Sequence, residues 1–278
     1  MSKSKIFKNL LNQSGSVQIP VAHDCLSAKL IENTGFKALS VGGFAIAGVN
    51  WGFPDVGLLG LSDMTSVIEK IVRCVDIPLF ADMDGGYGNA RNVTLAVHEY
   101  ERIGVASLFI EDQKHPKRCG HMDGKELITI DEMCAKIMAA KKAQTDPDLT
   151  ICARTDAIAV EGFDNSIIRS QKYIQAGADI IFIEAPESTG QLENIPKLIT
   201  QVPLLVNMLE GGKTPILSQK ELTQMGYKLI AYPVTTLFSA LKNTQNALNS
   251  LKETGIPSQS NMITFPEYKN LVQLDKYI

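Results

Sequence analysis

Eight short apolar runs alternate with eight longer segments of helical spacing from one end of the chain to the other, and this alternation limits the possible folds more than any other feature. The runs lie at 17–22, 38–41, 78–82, 107–111, 150–154, 180–184, 204–207 and 229–232. They are apolar almost without interruption, as parallel strands covered on both faces must be. The other segments, roughly 25–34, 64–75, 91–103, 131–144, 165–176, 188–199, 218–225 and 234–253, space their apolar residues as helices do. Ser62-Asp63, Thr129-Ile-Asp131, and Ser218 with Glu221 read as helix starts. Gly35, Gly104, Gly177 and Gly226 fall where a helix stops on a left-handed residue. Unbroken βα units predict one α/β domain over 1–278, a (β/α)8 barrel of TIM type. A short N-terminal helix carrying Phe7, Leu10 and Leu11 precedes it. A tail from about 254 follows, a loop with Pro257, Ser258 and Ser260 and then a terminal helix within 265–278. An open doubly wound sheet is the alternative. The chain's 278 residues, 45% of them apolar, suit a single barrel core.

A formal charge of −3 and scattered Lys and Arg give no electrostatic footprint for nucleic acid. The first sixteen residues lack the apolar core of a signal peptide, and no run reaches the ~18 apolar residues of a membrane span. The cysteines Cys25, Cys74, Cys119, Cys134 and Cys152 are odd in number, widely spaced and without a CxxC pair, which predicts free thiols in a reducing cytoplasm.

Polar residues gather at one end of the runs, where a barrel's active site lies. They are His23-Asp24, Ser40-Val-Gly42-Gly43, Asp82-Met-Asp84 with Gly85-Gly86-Tyr87-Gly88, Glu111-Asp112, Arg154-Thr-Asp156, Glu184, and Asn207 with Glu210. Asp82 and Asp84, two apart, point to one side if the backbone is extended, and with Glu111 make an oxygen-rich cluster suited to Mg²⁺. Helix caps or salt bridges are the plainer explanation for these acids. The glycines after them would let backbone approach a ligand. Ser40-Val-Gly-Gly43 could offer N–H groups to a carboxylate, or form a tight turn. Arg154 is either a bidentate carboxylate clamp or an internal ion-pair partner. Just beyond the fourth strand stands Lys117-Arg118-Cys119-Gly120-His121. Flanking positive charge is expected to lower the Cys119 pKa and ready the thiol for proton exchange; a buried small hydrophobe is the alternative. His121 could pair with an acid or ligate a metal with Cys119, but no further Cys or His stands at zinc-ligand spacing.

Together these segments resemble the isocitrate lyase/phosphoenolpyruvate mutase superfamily over about residues 15–275. Lys117-Arg-Cys-Gly-His121 is similar to that family's lyase signature. Asp82-x-Asp84-x-Gly-x-Gly88, Gly52-Phe-Pro-Asp55, Ile110-Glu-Asp112, Ala153-Arg-Thr-Asp156, Ile183-Glu-Ala185 and Asn207-Met-Leu-Glu210-Gly-Gly resemble family segments in the same order. The resemblance implies that Asp82 and Asp84 hold Mg²⁺ (or Mn²⁺), with Glu111 in the same shell through water. It implies that Ser40, Gly42 and Gly43 hold a substrate carboxylate, that Asp55 lies near metal and substrate, and that Arg154, Glu184 and Asn207 complete the pocket. Cys119 becomes the acid/base on a mobile loop, with Lys117, Arg118 and His121 beside it. A homotetramer exchanging the helix at 238–251 is also implied.

The cysteine signature favours the carbon–carbon lyase branch over the phosphonomutases. The 2-methylisocitrate lyases carry an arginine after the last strand, where this chain reads Thr235-Thr-Leu-Phe238-Ser. The segments at 211–215 and 265–272 look more like the dimethylmalate lyase, oxaloacetate hydrolase and carboxyphosphonoenolpyruvate mutase group. The expected substrate is a small 2-hydroxy or hydrated 2-oxo di- or tricarboxylate, such as a substituted malate or 2-methylisocitrate, with the smaller dicarboxylate favoured, cleaved to a 2-oxo acid and a carboxylate through an enolate-like species. Tyr87, Asp55 or a metal-bound water could take the hydroxyl proton. A phosphonomutase acting on a C–P bond, a Schiff-base aldolase and a non-catalytic binding barrel are the rivals; no run ends in the lysine that a Schiff base needs.

Overall fold

A computed structural model describes residues 1–257 and 262–278; Ser258 and Ser260 of the expected tail loop lie outside the described residues. Eight parallel strands form one sheet in the order β1-β8-β7-β6-β5-β4-β3-β2. They are β1 (Val17–Pro20), β2 (Leu39–Val41), β3 (Leu79–Asp82), β4 (Ser107–Glu111), β5 (Thr150–Thr155), β6 (Ile180–Ile183), β7 (Leu204–Asn207) and β8 (Leu229–Tyr232). A parallel bridge from Val21 to Ser40 joins β1 to β2, and the Ala22 N–H donates to the Ser40 carbonyl at 2.8 Å. The sheet is therefore a nearly closed barrel, and the open-sheet alternative is set aside.

Each expected helix forms: α1 (Lys3–Asn12), α2 (Cys25–Asn33), α4 (Leu61–Cys74), α5 (Ala90–Arg102), α6 (Ile130–Ala143), α8 (Phe163–Gln175), α9 (Thr189–Leu198), α10 (Gln219–Met225), α11 (Thr235–Thr254) and α12 (Phe265–Leu271). Two were not foreseen, α3 (Gly43–Trp51) and the single turn α7 (Ile158–Glu161). Thr129 and Ser218 cap α6 and α10 as expected. Ser62-Asp63 does not precede α4 but sits in its first turn, where the Asp63 carboxylate accepts from the Gly60 N–H at 2.9 Å. Gly35, Gly104, Gly177 and Gly226 all have positive φ.

Strand side chains alternate between two cores. Leu79, Ala81, Leu108, Ile110, Ile151 and Ala153 face outward against the helices. Phe80, Phe109, Cys152, Ile180, Phe182, Leu205 and Leu229 face the barrel axis. Phe7 of α1 closes the bottom of that axis, stacked on Phe80 with ring centroids 5.9 Å apart; Phe80 stacks on Phe109 at 5.4 Å, and Phe109 meets Phe182 edge-on at 6.0 Å. One period further along the same strands, Asp82, Glu111, Arg154, Glu184 and Asn207 continue the inward face. The polar ring is thus fixed above an aromatic floor by register alone.

Helix α11 differs from the others. Of its side chains only Leu237 is buried, while Phe238, Leu241, Leu248 and Leu251 are exposed. A cavity of about 690 Å³ lies between the foot of α11 and α2. No helix of the described residues is long and apolar enough to cross a membrane.

Candidate active site

The polar ring and the loop after β4 enclose a chamber of about 80 Å³. Ser40, Gly42, Gly43, Asp55, Asp82, Cys119, His121, Arg154, Glu184 and Asn207, all expected at the site, line it, joined by an apolar wall that includes Phe44, Leu209, Pro233 and Val234. Asp84 and Lys117 instead line an adjoining cleft of about 770 Å³.

Arg154 is the organising cation. Its Nε and Nη2 donate to the two oxygens of Asp156 at 2.9 and 3.0 Å, and its Nη1 lies 3.3 Å from Glu111 and 3.4 Å from Glu184. The guanidinium also rests over Phe182, 5.3 Å from the ring centroid. Of the two expected alternatives the structure shows the internal ion-pair partner, with Nη1 directed to the two acids of the ring. Despite burial, Arg154 and His121 hold Glu184 below the usual carboxylate range. Asn207 Nδ2 donates to Glu184 at 3.1 Å. The Lys213 N–H donates to His121 Nδ1 at 3.1 Å, which leaves the proton on Nε2, 3.1 Å from Glu184 Oε1. His121 thus pairs with an acid.

Three expectations need correction. First, Asp82 and Asp84 do not project in parallel from extended backbone. β3 ends at Asp82, and Asp84 takes a left-handed conformation (φ 46°) because its N–H turns back to Asp82 Oδ1 at 2.8 Å. The other oxygen of Asp82 accepts from the Gly43 N–H at 2.8 Å, so the carboxylate held by the Gly42-Gly43 turn in this structure is the chain's own. Second, Gly86 and Gly88 serve packing. A Cβ on Gly86 would lie 2.4 Å from Val93, and one on Gly88 would lie 2.4 Å from Asn92. Third, the Cys119 thiol is not lowered. Burial pushes its pKa up, with Asp55 and Glu184 adding to the rise against the His121 N–H and Arg154. Its sequence neighbours turn elsewhere: Lys117 Nζ sits 2.5 Å from Asp55 and 2.7 Å from Asp84, and exposed Arg118 donates to the Asp123 carbonyl at 3.1 Å. Tyr87 also leaves the candidate bases. Its hydroxyl hydrogen-bonds Tyr100 at 2.7 Å, and burial, then Tyr100, hold its pKa well above the phenol value.

The acids around Lys117 fit a hard cation. Burial, then Asp84, raises Asp82 to about 6, and burial raises Glu111 well above its ordinary value. Glu111 Oε1 is buried and accepts no hydrogen bond among the described residues. Burial alone would lower Lys117, yet Asp84, Glu111, Asp82 and Asp55 hold it well above the usual amine value. Such a cluster is short of positive charge, and its oxygen donors are those that Mg²⁺ prefers. Among the described residues no three His, Cys, Asp or Glu side chains stand as a preformed ligand group, and the Lys117 ammonium lies among the acids.

Asp156 was named at its strand end but given no role, and Lys125 and Phe44 were missed as site residues. Asp156 carried a signal, since period two puts it on the face of Arg154; Lys125 and Phe44 carried none.

The family profile described as phosphoenolpyruvate phosphomutase matches residues 7–252. The chain belongs to the phosphoenolpyruvate mutase/isocitrate lyase superfamily. It is 40% identical to 2,3-dimethylmalate lyase of Eubacterium barkeri over 278 residues, covering 99% of this chain and 96% of that one. It is 41% identical to a probable 2-methylisocitrate lyase of Corynebacterium glutamicum over 253 residues, covering 91% and 83%. Among solved structures, oxaloacetate acetylhydrolase bound to 3,3-difluorooxalacetate superposes with a TM-score of 0.95 at 31% identity, covering 99% and 94%. Crystalline 2,3-dimethylmalate lyase gives 0.94 at 33%, covering 99% and 93%. Phosphonopyruvate hydrolase complexed with oxalate and Mg²⁺ gives 0.89 at 28%, covering 99% and 96%. Within the superfamily this chain is a carbon–carbon lyase.

Proposed function

We propose that this lyase splits a C3-substituted malate, or a closely related 2-hydroxy or hydrated 2-oxo dicarboxylate, into a 2-oxo acid and a carboxylate with the help of Mg²⁺. One observation carries the proposal: the half-buried Cys119 thiol closes a small chamber with the Arg154 cation at one side and an apolar wall at the other. Arg154 is the cation of that lining, and Phe44, Leu209, Pro233 and Val234 offer no partner for a third carboxylate. The wall suits alkyl groups on C3 and disfavours a tricarboxylate.

When bound at the acid cluster, the divalent ion supplies Lewis acidity to the 2-oxygen. Asp55 receives the hydroxyl proton, the C2–C3 electron pair stays with C3, and Cys119 delivers its proton to that carbon. Arg154, preset by Asp156 in a dry site, stabilises the dianion formed as the bond breaks. A high thiol pKa suits this role, since the thiol must still hold its proton when the carbanion appears. Glu184, Asn207 and His121 orient the groups around it, and Ser40 and the Gly42-Gly43 turn face the substrate carboxylate.

We propose also that the exposed apolar face of α11 and the cavity beside α2 meet their counterparts on other copies of the chain, exchanging the segment 238–251 in a homotetramer.

Incubation with malate, 2,3-dimethylmalate, 2-methylisocitrate, oxaloacetate and phosphonopyruvate tests the reading, with 2-oxo acid release and ³¹P spectra as readouts. Release from a C3-alkyl malate, abolished by EDTA and restored by Mg²⁺, is expected. Conversion of a C–P bond alone, or equal rates with and without EDTA, would refute it.

A further inference from the structure

We infer that Lys125 is a positioning residue that latches the cysteine loop to the Arg154–Asp156 pair and so sets Cys119 over the chamber. Lys125 lies outside the chamber lining, at the far end of the loop. Its side chain is 1% exposed, and lysine is rarely buried so completely unless paired. Its Nζ donates to Asp156 Oδ1 at 3.0 Å and to the carbonyl of Gly120, the residue after Cys119. Asp156 Oδ1 also accepts from Arg154 Nη2. One carboxylate therefore holds a cation from β5 and a cation from the loop.

The loop's backbone lies directly on the pair it is tied to. A Cβ on Gly120 would stand 2.5 Å from Arg154 Nη2 and 2.5 Å from Glu184 Cγ. The base of the loop is held by the Lys114 N–H to the Glu126 carbonyl at 2.8 Å, by the exposed ion pair of the same two side chains at 2.8 Å, and by the Gln113 side chain to both backbone groups of Arg118. The remaining ties of the tip, Lys117 to Asp55 and Asp84 and His121 to Glu184, run to site residues that must engage substrate and metal. Lys213 Nζ also reaches Asp123 at 2.7 Å, but on the exposed surface; Lys125 is the buried charged tie that stays out of the chemistry. An apolar residue would fill the same volume without burying an ammonium, a burial whose cost is offset only by well-placed partners. What the ammonium adds here is a fixed loop position.

Lys125→Met tests the latch, and it rests on the lyase proposal in its kinetic arm only. Iodoacetamide labelling of the intact protein, resolved by cysteine in peptide mass spectra, is expected to modify Cys119 at least about tenfold faster than in the native chain, because a buried charge pair is worth more than that factor in an opening equilibrium. Cys25 and Cys134 should be labelled at unchanged rates. On a malate that the native enzyme cleaves, kcat should fall by about 10²-fold while KM moves less than about threefold, because a displaced reacting group costs turnover before binding. Lys125→Arg should restore part of both readouts. Cys119 labelling within about twofold of the native rate in Lys125→Met would overturn the latch. So would labelling of all five cysteines with loss of cooperative melting in both Lys125→Met and Lys125→Gln, which would assign Lys125 to barrel stability. If no compound is turned over by the native chain, the lyase proposal fails and the labelling arm still decides the latch.

Discussion

Gly120→Ala separates loop closure from fold stability. The new Cβ would lie 2.5 Å from Arg154 Nη2, 2.5 Å from Glu184 Cγ and 2.8 Å from Glu184 Cδ. Neither neighbour can yield freely. Arg154 is 8% exposed and doubly bonded to Asp156, and Glu184 is 2% exposed and bonded to Asn207. Ordinary van der Waals separation begins near ~3.5 Å, so the loop must retreat by about 1 Å. A misplacement of about 1 Å is enough to lower turnover by about 10²-fold. Stability should hardly move, because Gly120 is not among the residues at positive φ and alanine restricts the unfolded chain slightly, an effect of about 0.4–1 kcal/mol in favour of folding. The assay is the initial rate of 2-oxo acid release from a cleaved malate, paired with thermal melting by circular dichroism. A kcat within about threefold of the native value, at unchanged melting, would show that the loop does not seat on Arg154 and Glu184 during turnover.

Cys119→Ser should lose about 10²–10⁴-fold in kcat through loss of the proton donor, yet still bind Mg²⁺ and oxalate by titration calorimetry; near-normal turnover would remove the thiol from the mechanism. Because burial raises the Cys119 pKa, the thiol keeps its proton through neutral pH, and donation fails only as pH climbs past that raised value. The kcat profile of the native enzyme should therefore stay level through the neutral range, and an alkaline limb with an apparent pKa below about 8.5 would contradict thiol donation. Phe7→Ala empties the plug beneath Phe80 and should cost about 3–5 kcal/mol in urea unfolding, with KM unchanged in the folded fraction; a loss under about 1 kcal/mol would mean that α1 does not close the barrel floor.

The barrel was legible because its signals are local. Apolar runs, caps and stop glycines placed every strand within one or two residues, and period two along β3 to β7 carried the aromatic floor into the polar ring. Helix α3 was not legible. Gly43-Phe-Ala-Ile-Ala-Gly-Val-Asn-Trp51 lacks a polar stripe, so no helical period shows, and its glycine ends look like turn residues. Yet its first N–H holds Asp82 and its Phe44 lines the chamber, so the missed element belongs to the site.

The surroundings of Cys119 were misread for a different reason. Three consecutive residues on an irregular loop point in three directions, so charges adjacent in sequence need not act on the thiol between them. Lys117 is drawn to Asp55 and Asp84, and Arg118 to the Asp123 carbonyl. The charges that reach Cys119 come from other segments: Arg154 on β5, Glu184 beyond β6, and Asp55 after α3. Their combined effect, with burial, reverses the expected shift. The reversal narrows the acid/base role expected of the thiol to that of a protonated donor, and it makes the loop's seating the controlling variable. A loop that opens would return Cys119 to water and to an ordinary thiol pKa, so closure both places the proton and keeps it on sulfur until C3 takes it.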